Sequence, residues 1–215
     1  GDVVPYAGLG ARLAQHGHQV AIATHVSSEH VVRDAGLEFR RLPMDMRTEL
    51  APRNGRSGMN ASRLLSVYRE HWDELCEACL DACEDADLIA VSALGVPGVH
   101  IAEAKNIPSV GLYLQPLDPT AEFAPAMVTT ASLGRHGNRY AARAFSSLGQ
   151  APVYRKINKL RTRLGLPRTN PDSWFRGLTK REWPILYGFS PTVVPKPADW
   201  PEFRRPVGYW WAPPR

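Results

Sequence analysis

The sequence predicts an α/β fold, a Rossmann-like parallel sheet with helices on both faces. Extended and helical patterns alternate along the first 114 residues with short connections between them, and the run from Gln19 to Thr24 is apolar on both faces, as interior strands of a parallel sheet are. The opening adds a third observation. A parallel sheet should begin with a strand, yet the chain passes almost at once from Gly1 and Asp2 into a helical pattern. A first strand is therefore expected upstream and missing here.

Residues Pro5 to Gly17 place Tyr6, Leu9, Leu13 and Ala14 near helical spacing, with proline in the first turn and glycine just past the end. Gln19 to Thr24 (QVAIAT) reads as a buried strand. Ser27 or Ser28 caps a helix that Gly36 closes, and Leu37 to Leu42 forms the next strand. Met44 to Met59 holds proline, glycine, asparagine and several arginines without periodicity, the mark of a long loop. Asn60 opens one long helix to Asp85, with Leu64, Leu65, Tyr68, Trp72, Leu75, Cys79 and Leu80 along a face. Asp87 to Ser92 is a strand, Pro97 to Lys105 a helix and Pro108 to Leu114 a strand. Beyond Gln115 the alternation stops. QPLDPTAEFAP is irregular and leaves the carboxyl end of a strand, where open α/β sheets hold ligands. Helical patterns return over Asn138 to Leu148 and Tyr154 to Leu164, and Pro184 to Phe189 is a final strand before turn-rich and aromatic segments.

Composition narrows the function classes. The 215 residues are 44% hydrophobic and 22% charged, with a net charge of +5, enough for a full core without disulfides or metal. Three cysteines and no signal-like apolar start suit a reducing, cytoplasmic setting. No apolar run reaches the ~20 residues of a membrane span. The charge is uneven: positions 123–171 hold nine basic and no acidic residues. A solvated helical face accounts for such a run, and an anion-docking surface is the alternative.

Several residue groups invite chemistry. Gly8 and Gly10 begin a G-x-G-x-x-G pattern, but Leu13 takes the third glycine's place and both glycines lie inside a helix, so they serve close packing. Neither G-x-x-x-x-G-K-[ST] nor G-x-S-x-G occurs. Cys76, Cys79 and Cys83 share a helix face near His71, and soft packing explains them without metal. His25 ends an interior strand at the edge where ligands dock, with binding and structural roles both open. Asp2 precedes the first helix, where a carboxylate compensates the helix dipole.

GDVVPYAGLGARLAQHGHQVAIATH followed by HVVRDAGLEFRRLP resembles the opening of the nucleotide-sugar-dependent glycosyltransferases of the GT-B fold that act on antibiotic aglycones and sterols. DADLIAVSALGVPGVHIAEAKNIPSVGLYLQPLDPTAEFAP and SPTVVPKPADWPEFRRPVGYWW continue the match in order. The resemblance implies one half of such an enzyme. Residues 1–208 would be its acceptor-binding domain, residues 209–215 would start the linker, and the donor domain would lie outside the chain. By the same resemblance Asp2 is the general base in an inverting transfer. No cofactor or metal is implied, and a UDP- or dTDP-sugar serves as donor, bound mainly by the C-terminal domain. The acceptor would be a small lipophilic molecule contacted by His25, Ser92, Leu94, Gln115, Pro116 and Phe123, on a wall that includes the 44–59 loop and the stretch from Gln115 to Met127.

The rival from another class is a non-catalytic Rossmann-like module that docks on anionic lipid or nucleic acid through its basic 123–171 segment. Nucleic acid is the weaker partner, because Tyr140, Phe145 and Tyr154 are too widely spread for a base-stacking array, and membrane association is not expected of the enzyme.

Overall fold

The computed structural model describes residues 3–43, 61–125, 129 and 131–212. They form two compact units: Gly1–Ala86 with Tyr209–Arg215, and Asp87–Gly208.

In the first unit, helix α1 (Val3–Gln15) leads to strand β1 (Ala21–His25), helix α2 (Glu29–Asp34) and strand β2 (Glu38–Leu42). The two strands pair in parallel, from Ala21 opposite Glu38 to His25 opposite Leu42, as a βαβ unit requires. Both glycines of α1 are packing devices. A Cβ on Gly10 would lie 2.7 Å from Leu37 Cδ1 and 3.2 Å from Val20 Cγ1, and one on Gly8 would lie 2.6 Å from the carbonyl oxygen of Trp210. The C-terminal backbone thus lies against α1, where Tyr6 and Trp210 rings meet at 5.7 Å and Arg12 Nε donates to Trp211 O at 3.1 Å.

Two local expectations change. The single helix from Asn60 to Asp85 is interrupted at His71, giving α3 (Ala61–Glu70) and α4 (Trp72–Ala82). Trp72, Leu75 and Cys76 of α4 are buried. Ser28 stands at the N-cap of α2 but makes no side-chain cap bond; its hydroxyl and that of Ser27 lie 3.4 and 2.6 Å from the His25 imidazole instead. The expected loop from Met44 to Met59 and its Asn60 cap lie outside the described residues.

The second unit is built on four parallel strands in sequence order: β3 (Ile89–Val91), β4 (Ser109–Tyr113), β5 (Ile185–Tyr187) and β6 (Arg204–Pro206). Helix α5 (Val96–Lys105) makes the first crossover, and Asn106 ends it in the left-handed conformation at φ 54°. Helices α6 (Gly134–Arg163) and α7 (Pro171–Lys180) occupy the second. The two helical patterns after Asn138 are one 30-residue helix that continues through Pro152. An interior proline costs a helix about 3 kcal/mol, and burial of Val153, Tyr154, Ile157 and Leu160 immediately beyond it offsets that cost. Helix α7 follows an Asn170 cap, whose Oδ1 accepts from Ser173 N at 2.9 Å, with Pro171 in the first turn.

A buried polar cluster ties these three helices together. Arg161, only 3% exposed, donates from Nη1 and Nη2 to the Glu103 carboxylate at 2.9 and 3.1 Å, from Nη1 to His100 Nδ1 at 3.0 Å, and from Nε to Pro167 O at 2.7 Å. His100 is fully buried against Trp174, with ring centroids 4.3 Å apart. Burial pushes the Glu103 carboxyl up, but the Arg161 hydrogen bonds and charge outweigh that and hold it below its ordinary range. For His100, burial first and the Arg161 charge second depress the imidazole to about 3. It is therefore neutral in the folded chain, accepting at Nδ1 from the guanidinium.

Since the unfolded imidazole takes up a proton near pH 6.5 and the folded one does not until about 3, stability falls as pH drops through that window, by roughly 1.4 kcal/mol per pH unit. His100→Asn, which keeps an acceptor for Arg161, is expected to flatten this slope in denaturant unfolding measured at pH 4, 5 and 6. A slope equal to wild type would show that another group sets the acid limit.

Candidate functional site

The carboxyl ends of β3, β4 and β5 lie side by side in the second unit because the strands are parallel and in register, with Val91 beside Gly111 and Tyr113 beside Tyr187. Ser92 follows β3, half-buried, and Leu94 is exposed. Gln115 and Pro116 follow β4, the first exposed and the second half-buried. These four expected contact residues therefore share one sheet edge. Phe123 is half-buried further along the same loop, edge-on to Trp200 at 6.5 Å and 75°. His25 ends β1 in the first unit, half-buried and held by its two serine neighbours. Asp2 and Met127 lie outside the described residues.

The sheet edge is floored by aromatic rings. Tyr187, the last residue of β5, stacks on Trp200 at 4.7 Å and 20° and leans on Phe189 at 5.2 Å. Offset ring pairs of this kind add about 0.5–1.5 kcal/mol beyond their buried area. The Tyr187 phenol donates to Asp118 Oδ2 and accepts from the Asp118 backbone N–H at 3.3 Å. Arg204 Nε lies 3.1 Å from the same carboxylate while its Nη1 donates to Trp183 O. Burial, and then the neighbouring Asp118 charge, push the phenol far above its usual range. Tyr187 therefore stays a proton donor, and Asp118, held between a phenol and a guanidinium, anchors the loop.

A second carboxylate holds the other end of the loop. Asp199 accepts from Thr120 Oγ1 at 2.7 Å, from Ala121 N at 2.9 Å and from Arg139 Nη2 at 2.7 Å. Sequence reading named none of Asp118, Tyr187, Asp199, Trp200 or Arg204. The available signal was two acidic residues in each of two irregular stretches rich in prolines and aromatics, LDPTAEF and PADWPEF, where no regular element can satisfy the backbone.

Positions 123–171 divide by role. Arg161 and Arg139 belong to the buried cluster and to the Asp199 pair, whereas Arg135, Arg143, Arg155 and Arg168 are exposed. Among the described residues, no three metal-ligating side chains come close enough to hold an ion. Cys76 is buried, and burial pushes the Cys79 thiol up to about 12. No helix among them is long and apolar enough to cross a membrane.

This arrangement is half of a GT-B glycosyltransferase fold. The solved calicheamicin glycosyltransferase CalG4 superposes with a TM-score of 0.60 at 20% identity, covering 94% of this chain and 48% of that one. The kitacinnamycin glycotransferase superposes with a TM-score of 0.55 at 18% identity, covering 89% of this chain and 44% of that one. Residues 1–122 match the Glycosyltransferase family 28 N-terminal domain, and the chain belongs to that family. It is 35% identical to a sterol 3-beta-glucosyltransferase of Leptosphaeria maculans over 98% of this chain and 14% of that protein. A second, from Emericella nidulans, is 34% identical over 100% of this chain and 16% of its own length. The chain thus spans only a small part of the curated relatives that it matches.

Removing the phenol donor tests the Asp118 anchor. Tyr187→Phe keeps the ring stack but removes a donor from the half-buried, charged Asp118 carboxylate, so it is expected to lower unfolding free energy by about 1–3 kcal/mol. A change under about 0.5 kcal/mol in urea unfolding, the range of an ordinary surface substitution, would show that Arg204 alone satisfies Asp118.

Proposed function

We propose that this chain is the acceptor-binding half of an inverting glycosyltransferase that moves a sugar from a nucleoside diphosphate onto a hydroxyl of a lipophilic, sterol-like acceptor. The observation that carries the reading is the 35% identity to a sterol 3-beta-glucosyltransferase, maintained over 98% of this chain. The irregular loop that leaves the carboxyl edge of the sheet after β4 supports it, since open α/β sheets hold their ligands at that edge. Residues 1–208 would form the acceptor domain and 209–215 the start of the linker. A separate C-terminal domain would hold the UDP- or dTDP-sugar.

The chemistry assigned to Asp2 is general-base catalysis. A sterol hydroxyl is a weak nucleophile, and a carboxylate within hydrogen-bond reach takes its proton as the oxygen attacks the anomeric carbon. The bond from that carbon to the diphosphate breaks, and the diphosphate leaves with the electron pair, inverting the centre. His25, Ser92, Leu94, Gln115, Pro116 and Phe123 are the proposed acceptor contacts. Family membership leaves the anion-docking module without favour, and the exposed arginines of α6 read as a solvated face.

In the complete enzyme, Asp2→Asn is expected to lower turnover by about 10²–10⁴-fold with acceptor binding nearly unchanged. Turnover equal to wild type would remove Asp2 from that role. Absence of any sterol glycoside from UDP- or dTDP-sugars with the wild-type enzyme would overturn the proposed reaction.

A further inference from the structure

The loop after β4 cannot hold itself in place. Pro116, Pro119 and Pro125 offer no backbone donor, and the chain from Asp118 to Pro125 forms neither strand nor helix. Its shape is imposed by a carboxylate from a distant segment. Asp199 takes three donors from two elements: the Thr120 hydroxyl and the Ala121 amide of the loop, and the guanidinium of Arg139 on α6.

The surrounding bonds close a box. Thr120 Oγ1 accepts in turn from Glu122 N at 3.1 Å, and Glu122 Oε1 accepts from Ala198 N at 2.6 Å, beside Asp199 itself. Asn138 Nδ2 donates to Ala121 O at 3.1 Å, and its Oδ1 accepts from Leu133 N at 2.8 Å. The peptide groups around Ala121 are therefore tied on both sides, to the 198–199 segment by N–H and to α6 by C=O. Thr120 and Asn138 are each 1% exposed, so water does not substitute for these partners. Burial pushes the Asp199 carboxyl up, but the bonds from Thr120, Ala121 and Arg139 outweigh it and hold it below the usual carboxylate range. It is ionised wherever the chain is folded near neutrality, with its acceptor capacity directed at all three donors.

We propose that Asp199 is a positioning residue for the acceptor: its carboxylate fixes the Thr120–Glu122 turn to the start of α6 and thereby sets where Phe123 and the Gln115–Pro116 edge meet the acceptor. The inference rests on the reading of this loop as part of the acceptor wall. It assigns Asp199 no contact with the reacting atoms. Substituting Asn keeps the volume but turns an amide N–H₂ toward donors, so at most one oxygen can still accept.

The test compares wild type and Asp199→Asn in the complete enzyme by amide hydrogen exchange and by steady-state kinetics. Exchange at Ala121 and Glu122 is expected to rise about tenfold, as loss of one net hydrogen bond of ~1.4 kcal/mol implies, while the amides of β3 and β4 keep their protection. The acceptor KM should rise about tenfold by the same measure, with donor KM unchanged. Unaltered exchange at Ala121 would overturn the clamp. Faster exchange with unchanged acceptor KM, or an equal rise in donor KM, would overturn the positioning role. If Asp199→Asn does not fold, Thr120→Val decides, because it removes one donor and the Glu122 acceptor; wild-type exchange and acceptor KM in that variant would overturn the proposal. A wild-type enzyme that glycosylates no sterol would sink the proposed reaction, while the exchange comparison would still judge the clamp.

Discussion

The second unit depends on how two irregular segments satisfy their backbone polar groups. Parallel strands require a crossover, and a helix usually supplies one, meeting its own hydrogen bonds internally. Between β5 and β6 no helix does so: residues 188–203 are turns and coil. The loop after β4 is likewise irregular. Neither segment has a ladder of its own, so acidic side chains accept where carbonyls ordinarily would. Asp118 fastens the near end of the loop to Tyr187 and Arg204, Asp199 fastens the turn at Ala121, and Glu122 returns the bond to Ala198. Trp200 of the β5–β6 connection is stacked on Tyr187 and only 4% exposed. The carboxyl edge is shaped by side chains that reach across from other segments.

The helices behind this edge are locked by a different means. A buried guanidinium is costly unless its donors are met, and Arg161 meets them with Glu103 and His100 of α5 and with the backbone carbonyl of Pro167 in the connection after α6. The cluster discriminates against any register of α6 other than the observed one, because sliding the helix would strand a charge. This also gives the 30-residue helix a fixed point beyond Pro152. What looks in sequence like a uniform basic stretch contains Arg161, buried against Glu103, Arg139, paired with Asp199, and the exposed Arg135, Arg143, Arg155 and Arg168. Charge runs by themselves do not separate those roles, since the separation is made by which residues face Glu103 and Asp199.

Much of the fold was legible because periodicity and end signals are local. The strands at Ala21–His25, Glu38–Leu42, Ile89–Val91, Ser109–Tyr113 and Ile185–Tyr187 all fall within predicted runs or one residue beyond them. Short apolar runs and the flanking glycines and prolines report them directly. Helix α7 carries a local signal as well, the Asn170 cap followed by Pro171 in the first turn. Strand β6 was not legible, because Arg204, Arg205 and Pro206 have no strand character. They pair only because β5 presents an open edge and Arg204 finds Asp118. The break at His71 and the continuation through Pro152 both went against local preference, as tertiary burial allows.

By itself, then, the sequence determined the class: alternating patterns specify a parallel α/β sheet, and ordered motif matches along the chain point to a glycosyltransferase half. It also placed Ser92, Leu94, Gln115 and Pro116 at strand ends, because a strand's end is a local property. Tertiary structure alone decided what holds that edge together. Asp118 and Tyr187 are 69 positions apart, and Thr120 and Asp199 are 79. A hydrogen bond between residues so far apart leaves no periodic trace. The choice of partner is settled only when burial excludes water and each polar group must take the acceptor that folding brings within reach.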